Sequence, residues 1–397
     1  MAAVAEPQLA SASEAMLGKR RSDAEFHLLL ACCSQRPVEQ RRKQIEEILC
    51  LPLDWPRVLR IAEHHRVLSQ LYTELTAIIP NAPEPRNLAA LYNDNVRKTF
   101  VLTCELIKVL RQLRASGVHT LAHKGPTLAV LLYGETSARQ FRDLDILVRP
   151  QDVARAKSAL SEIGYAATIQ LNERQERAYI SSGYEYGFRS ADGRILLELQ
   201  WRILPRFYSV DLEVNGFFEH PAEIDIGGSR VPTLCNEDIA LSVCLHAAKH
   251  LWTELCILCD VTQLANLEID WKSATTKART LGMERILGLS FCLAHKLLAA
   301  QIPHDVRTII ERDDEIENLA PEIENLIAES RDYNSESVAY FRWMMRLREI
   351  RKDRGQFLWR LLSTPGISEW TAIKLPRMAF PAYRLVRCAR LVKRFAF

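Results

Sequence analysis

Two carboxylates stand one residue apart in Arg142-Asp143-Leu144-Asp145-Ile146-Leu147-Val148, an apolar run that reads as a β-strand. Strand side chains alternate, so Asp143 and Asp145 point to one side. At about 4 Å and an effective dielectric near 20, two such charges repel by roughly 4 kcal/mol. A fold sustains that most readily when a cation sits between them, and Mg²⁺ (or Mn²⁺) suits oxygen ligands. Phosphoryl and nucleotidyl transfer use such an arrangement. Glu198, in Arg194-Ile195-Leu196-Leu197-Glu198-Leu199-Gln200-Trp201, offers a third carboxylate. It lies mid-strand among apolar side chains, where an unpaired charge is costly, so it is expected to face a cation or an arginine. Glu198 and Gln200 share one face; Leu197, Leu199 and Trp201 share the other.

Basic groups are spaced to meet phosphates. At Lys124-Gly125-Pro126 a strand turns into a helix, with Pro126 suited to the first helical turn. Gly125 lets backbone N–H groups come close to an anion, and a helix N-terminus favours negative charge. Lys124 and Arg139 are candidates to neutralise phosphate oxygens. The bland alternative at this turn is a tight bend with solvated cations. Farther on, His246, Lys249 and His250 follow one another in Leu245-His246-Ala247-Ala248-Lys249-His250. The two imidazoles share a helix face. Ala247 stands where a zinc H-E-x-x-H motif needs Glu, which argues against zinc. That leaves a face contacting base or phosphate through Lys249 and His250, or a buried, satisfied pair. Asp260 is another acid on an apolar helix, available to orient a nearby His or Lys.

The elements that must hold these groups fall into five stretches. Residues 1–22 read as a disordered Ala- and Ser-rich lead-in without the pattern of a signal peptide. Residues 23–116 read as helices, ending in a long one from about Arg86 to Ala115 that Gly117 stops. Residues 117–235 change periodicity. Val118–Ala122 and Arg142–Val148 read as strands, Pro126–Tyr133 as a helix, and Ala191-Asp192-Gly193 as the turn of a hairpin. Ile224–Val231 reads as a second hairpin. This central part is α/β to α+β with a small mixed sheet. Residues 236–370 are helical again, and 371–397 end in a basic amphipathic helix.

Composition narrows the class. The chain has 397 residues, 48% hydrophobic and 25% charged, with a net charge of +3. Those are values of an ordinary soluble globular protein, and too small a charge to imply DNA binding. The basic residues concentrate after Thr371, where Lys374, Arg377, Arg384, Arg387, Arg390, Lys393 and Arg394 occur with no acid among them. That tail is expected to be a solvated helix face, or to lie on an anionic membrane surface, grip nucleic acid or dock a partner. Ten cysteines, most in apolar helical runs, fit a reduced cytoplasm better than a disulfide framework. Cys256-Ile257-Leu258-Cys259 has no second pair at zinc-site spacing and reads as core. No apolar run is long enough to span a bilayer. Localisation is therefore expected to be cytoplasmic, with peripheral attachment to the inner membrane surface through the tail as an option.

Taken in order, these blocks resemble the bacterial family often described as an uncharacterised nucleotidyltransferase, a branch of the polymerase-beta-like superfamily. The matching pieces are Lys124-Gly125, Tyr133, Arg139 four residues before Asp143, the run Asp143 to Val148, Glu198 to Trp201, and Glu237-Asp238 through His246, Lys249, His250, Trp252 and Asp260. The similarity covers roughly Asp54 to Leu267. Relatives often carry His where Gln200 stands, and a Gly-Ser or Gly-Gly turn nearer the D-x-D. The resemblance implies an α+β nucleotidyltransferase fold, a small mixed sheet flanked by helices with helical N-terminal and C-terminal regions. It implies Asp143, Asp145 and Glu198 as metal ligands and catalytic carboxylates, with Gly125 over the triphosphate. The implied reaction is NMP transfer from an NTP such as ATP to an acceptor (small molecule, glycan, protein or RNA), releasing pyrophosphate. Two rivals remain. A D-x-D glycosyltransferase would need a βαβ nucleotide-binding unit where about a hundred residues read as helical. A nucleotide-binding scaffold without turnover would have no need to hold three repelling acids together.

Overall fold

The strand carrying the two aspartates forms as the alternation requires, and its neighbour in the sheet is the strand carrying Glu198. The computed structural model describes residues 24–78, 87–330, 337–373 and 375–396. The Ala- and Ser-rich lead-in, the loop of Pro80, Pro83 and Pro85, Lys374 and Phe397 lie outside the described residues.

Helices Ala24–Cys33, Val38–Leu49, Trp55–His64, Leu68–Ile78 and Leu88–Ala115 precede the sheet. Asp54 starts the third, its side chain accepting from Arg57 N, with Pro56 in the first turn. The long helix ends at Gly117, whose φ of +70° suits a residue without Cβ. The sheet then comprises β1 (Thr120–Ala122), β2 (Asp143–Val148), β3 (Ala166–Ala167), β4 (Glu185–Arg189) and β5 (Leu196–Gln200), in spatial order β1-β2-β5-β4-β3. β2 and β5 are parallel; the other neighbours are antiparallel. β6 (Ala222–Ile226) and β7 (Ser229–Thr233) pair as a separate hairpin. The rest of the described chain is helical, from Asn236–Lys249 to Tyr383–Ala396. The fold is α+β. Among the described residues no helix is long and apolar enough to cross a membrane.

Two helices lack the periodicity that would announce them, Val38–Leu49 and Glu173–Ser182. The second buries little beyond Gln175 and Tyr179. It does carry a start signal: Asn172 accepts from the N–H of Arg174 and Gln175, while the Gln175 side chain accepts from Asn172 N.

The sheet lies between two apolar cores, one on each face. Leu144, Ile146, Val148, Tyr186, Leu197 and Leu199 point into the first, packed with Leu102, Leu106, Val109 and Leu113 of the long helix. The other face meets the second core, in which N-terminal helices and C-terminal helices are mixed: Leu28, Ile45 and Leu71 share it with Leu241, Leu258 and Leu293. Six cysteines, including Cys256 and Cys259, are buried free thiols. Segments far apart in sequence thus share one core.

His65 joins these helices. Its Nδ1 accepts from Leu255 N at 3.4 Å, and its Nε2 meets Ser330 Oγ at 2.9 Å. Burial, then the neighbouring His64, pulls its pKa down to about 3. The folded chain keeps the ring neutral, while the unfolded chain protonates it below its ordinary value near 6.5. Stability is therefore full above that value and falls as the pH drops toward the folded one. Between pH 7 and 5 this ring costs about 2 kcal/mol. Urea unfolding at the two pH values should show that loss, and His65→Asn should remove it. A wild-type loss matched in the variant would refute the assignment.

Candidate functional site

On the face of the sheet toward the mixed core, the register brings the acids together. Asp145 lies opposite Glu198 across β2 and β5, and Asp143 lies opposite Leu196. All three acids therefore share a face, as the period-two alternation requires. Gln200, 1% exposed, follows on the same face, at the end of the row away from Asp143. Its Nε2 donates to Asp145 Oδ1 at 2.9 Å, to Glu198 Oε2 at 3.1 Å and to Glu185 Oε2 at 3.4 Å. Its Oε1 accepts from His123 Nε2 at 3.1 Å, which sets the amide's orientation.

Glu185 is a fourth carboxylate that the D-x-D reasoning overlooks. The signal for it was present. Pairing about the Asp192-Gly193 turn sets Glu185 opposite Gln200 and Gly187 opposite Glu198. Directly opposed residues share a face, so a hairpin counted outward from its turn puts Glu185 beside the other acids.

The charges are unequal in their surroundings. Lys124 Nζ contacts Asp145 Oδ1 at 3.0 Å. Burial acts to raise Asp145, but Lys124, helped by His123 and Lys249, outweighs it and holds the carboxyl below its usual range. Asp143 is raised, by burial and then by the Asp145 charge. Glu198 is pushed up to about 8, by burial first and then by Glu185 and Asp145. Burial, followed by Lys124, lowers His123 to about 4. One acid is neutralised by a lysine, and two keep a residual repulsion.

Gly125 begins the helix Gly125–Tyr133 with φ +55°. A Cβ there would come within 3.2 Å of the Asp143 carbonyl oxygen. The glycine thus lets the Lys124 turn pass close to the D-x-D strand, which brings the Lys124 ammonium onto Asp145.

Arg139, the other candidate to meet a phosphate, is paired with Asp260. It is 7% exposed, its Nε lies 3.0 Å from both Asp260 oxygens, and its Nη2 lies 2.9 Å from Oδ2. Tyr133 OH donates to the same carboxylate at 2.9 Å. Asp260 therefore orients an arginine and a tyrosine, where a histidine or lysine was expected. The pair ties the chain before β2 to the helix Leu255–Leu264.

The His246 and His250 rings meet at a tilt of 59°, with centroids 4.6 Å apart. Burial leads in lowering both, His250 to about 3. Lys249 lies 5.6 Å from the Tyr184 ring, and with His250 it lines a cavity of about 1080 Å³. That cavity meets the acidic cluster at Glu185; Asp143, Asp145 and Glu198 are not in its wall. Among the described residues, no three His, Cys, Asp or Glu side chains already surround a common point suited to an ion. The Lys124 ammonium and the Gln200 amide lie against the carboxylates instead.

Comparison with known proteins adds an independent line. The family described as an uncharacterised nucleotidyltransferase matches residues 52–299. Curated proteins yield no match. Among solved structures, an antigenic nucleotidyltransferase-like protein from Paracoccidioides brasiliensis is 12% identical, covering 60% of this chain and 96% of that one, with a TM-score of 0.32.

Proposed function

This chain belongs to the uncharacterised nucleotidyltransferase family, and from that premise we propose that it transfers an NMP from an NTP to an acceptor with release of pyrophosphate. The observation that carries the reading is the register of β2 on β5, which sets Asp145 beside Glu198 with Asp143 on the same face. The donor set fits Mg²⁺ or Mn²⁺: all are carboxylate oxygens, and two of the acids retain a repulsion that a divalent ion relieves. Bound there, the ion would hold the triphosphate and draw off charge from the leaving pyrophosphate.

The chain's own residues supply the rest. Lys124 and Lys249 act on Asp145 through their charge and are the cations available to the phosphates. His250 borders the adjoining cavity and is available to a base or phosphate. The acceptor oxygen forms a bond to the α-phosphorus while the bond to the α–β bridging oxygen breaks, and that oxygen leaves with the electron pair. The acceptor's proton goes to the Glu198 carboxylate, whose proton affinity burial and the neighbouring Glu185 and Asp145 charges raise.

Incubating the full chain with mixed NTPs, Mg²⁺ and cell extract should release pyrophosphate and leave an added NMP visible by mass spectrometry. The Lys124–Asp145 contact favours one second reading, a nucleotide-binding scaffold in which lysine stands in for the metal. Nucleotide binding without pyrophosphate would support it.

A further inference from the structure

The large cavity beside the acids has a second basic wall. Part of it comes from Thr364–Glu369 and the helix Tyr383–Ala396, beyond the family match that ends at residue 299. Glu369 anchors this wall. Its carboxylate accepts from Gly366 N at 2.7 Å and pairs with Arg387 at 3.4 Å and Arg390 at 3.6 Å. Arg390 also donates to Ser368 O at 2.6 Å, and Arg387 to Leu361 O. These two arginines fasten the helix to the body, so the basic tail is a piece of cavity wall.

Two further cations line the cavity and make no ion pair among the described residues: Lys393 on that helix and Arg206 on the turn Arg206–Tyr208. That turn meets the helix where Arg387 lies over the Phe207 ring, and Arg206 also bears on Asp211 through its charge. Neither is among the charges acting most strongly on Asp143, Asp145 or Glu198, whereas Lys124 and Lys249 do bear on the aspartates. The cavity thus has two cationic places: one at the acids, served by Lys249, and one where the turn Arg206–Tyr208 meets the C-terminal helix. A single triphosphate held at the acids accounts for the first only. At about 1080 Å³ the cavity has the size of a small-ligand site, about 300–1,000 Å³. Phe207 and Tyr184 give it aromatic surface between polar groups.

We infer that this cavity takes the acceptor, and that the acceptor is a small molecule bearing a phosphate group held by Arg206 and Lys393 apart from the nucleotide. The inference rests on the nucleotidyl-transfer reading for the word acceptor; the anion site itself does not. Charge-assisted contacts of this kind contribute enough that losing two weakens binding about tenfold or more.

The test is calorimetric titration of glycerol 3-phosphate into the full chain, with and without Mg²⁺ and the non-cleavable analogue α,β-methylene-ATP. Three proteins are compared: wild type, Arg206→Gln/Lys393→Gln and Asp143→Asn/Asp145→Asn. The first pair of substitutions touches no ion pair, and an unchanged thermal midpoint checks its fold. The wild type should bind glycerol 3-phosphate, and the Arg206/Lys393 variant should bind it at least tenfold more weakly with nucleotide affinity kept within twofold. The aspartate variant should keep the phosphate site. Equal glycerol 3-phosphate affinity in wild type and the Arg206/Lys393 variant, no binding to wild type, or displacement by the nucleotide analogue overturns the inference. If no protein binds the nucleotide but glycerol 3-phosphate still depends on Arg206 and Lys393, the nucleotidyl-transfer reading fails and the anion site stands.

Discussion

Asp143→Asn/Asp145→Asn should abolish Mg²⁺-dependent NTP binding in calorimetry and cut turnover by about a thousandfold or more. Charge stabilisation by a bound ion is worth several kcal/mol in the transition state, and each 1.4 kcal/mol is tenfold in rate. The single variants should separate on stability. Asp143 has a raised carboxyl, so its charge opposes folding, and Asp143→Asn should leave the chain as stable as wild type or more so. Asp145 is held low by Lys124, and Asp145→Asn removes the partner of a lysine whose side chain is only 12% exposed. That variant should unfold at lower urea. Metal-dependent binding that survives the double substitution would end the assignment of these two residues. A site that keeps repelling acids trades stability for function.

Arg139→Ala should cost about 3–5 kcal/mol in denaturant unfolding, because it leaves the Asp260 charge buried with Tyr133 as its remaining partner. Replacing both members by apolar residues, Arg139→Met/Asp260→Leu, should recover most of that loss. The double variant also decides what Arg139 is for. If the arginine holds phosphates, nucleotide affinity falls in a stable protein. If it ties β2's approach to the helix Leu255–Leu264, affinity is retained. A loss below 1 kcal/mol in Arg139→Ala would dismiss the structural role.

Local pattern was sufficient for several parts of this molecule. Leu144, Ile146 and Val148 alternate with Asp143, Asp145 and Leu147, and the apolar set lies in the first core as alternation demands. The turn at Asp192-Gly193 and the stop at Gly117 are backbone requirements written in single residues. The long helix over Leu88–Ala115 shows in its apolar spacing. Glu185 is equally legible by counting back from the turn, but no acidic motif of its own marks it.

Other parts depended on distant segments. Arg139 stood the right distance from Asp143 to invite a phosphate role, and nothing near it in sequence shows that Asp260 takes its guanidinium. The tail's cations look free when read alone; Glu369, buried by the fold, engages Arg387 and Arg390.

By itself the sequence determined which residues lie on one side of each strand, where the long helix before the sheet stops, and that several acids must be reconciled with one another. Side-chain period and backbone freedom are properties of neighbouring residues, and they need no partner to be read. Only the tertiary structure decided which buried charge answers which, because the cost of removing a charge from water falls on whatever group happens to meet it in space. Asp145 met Lys124, Asp260 met Arg139, and Glu198 met other acids.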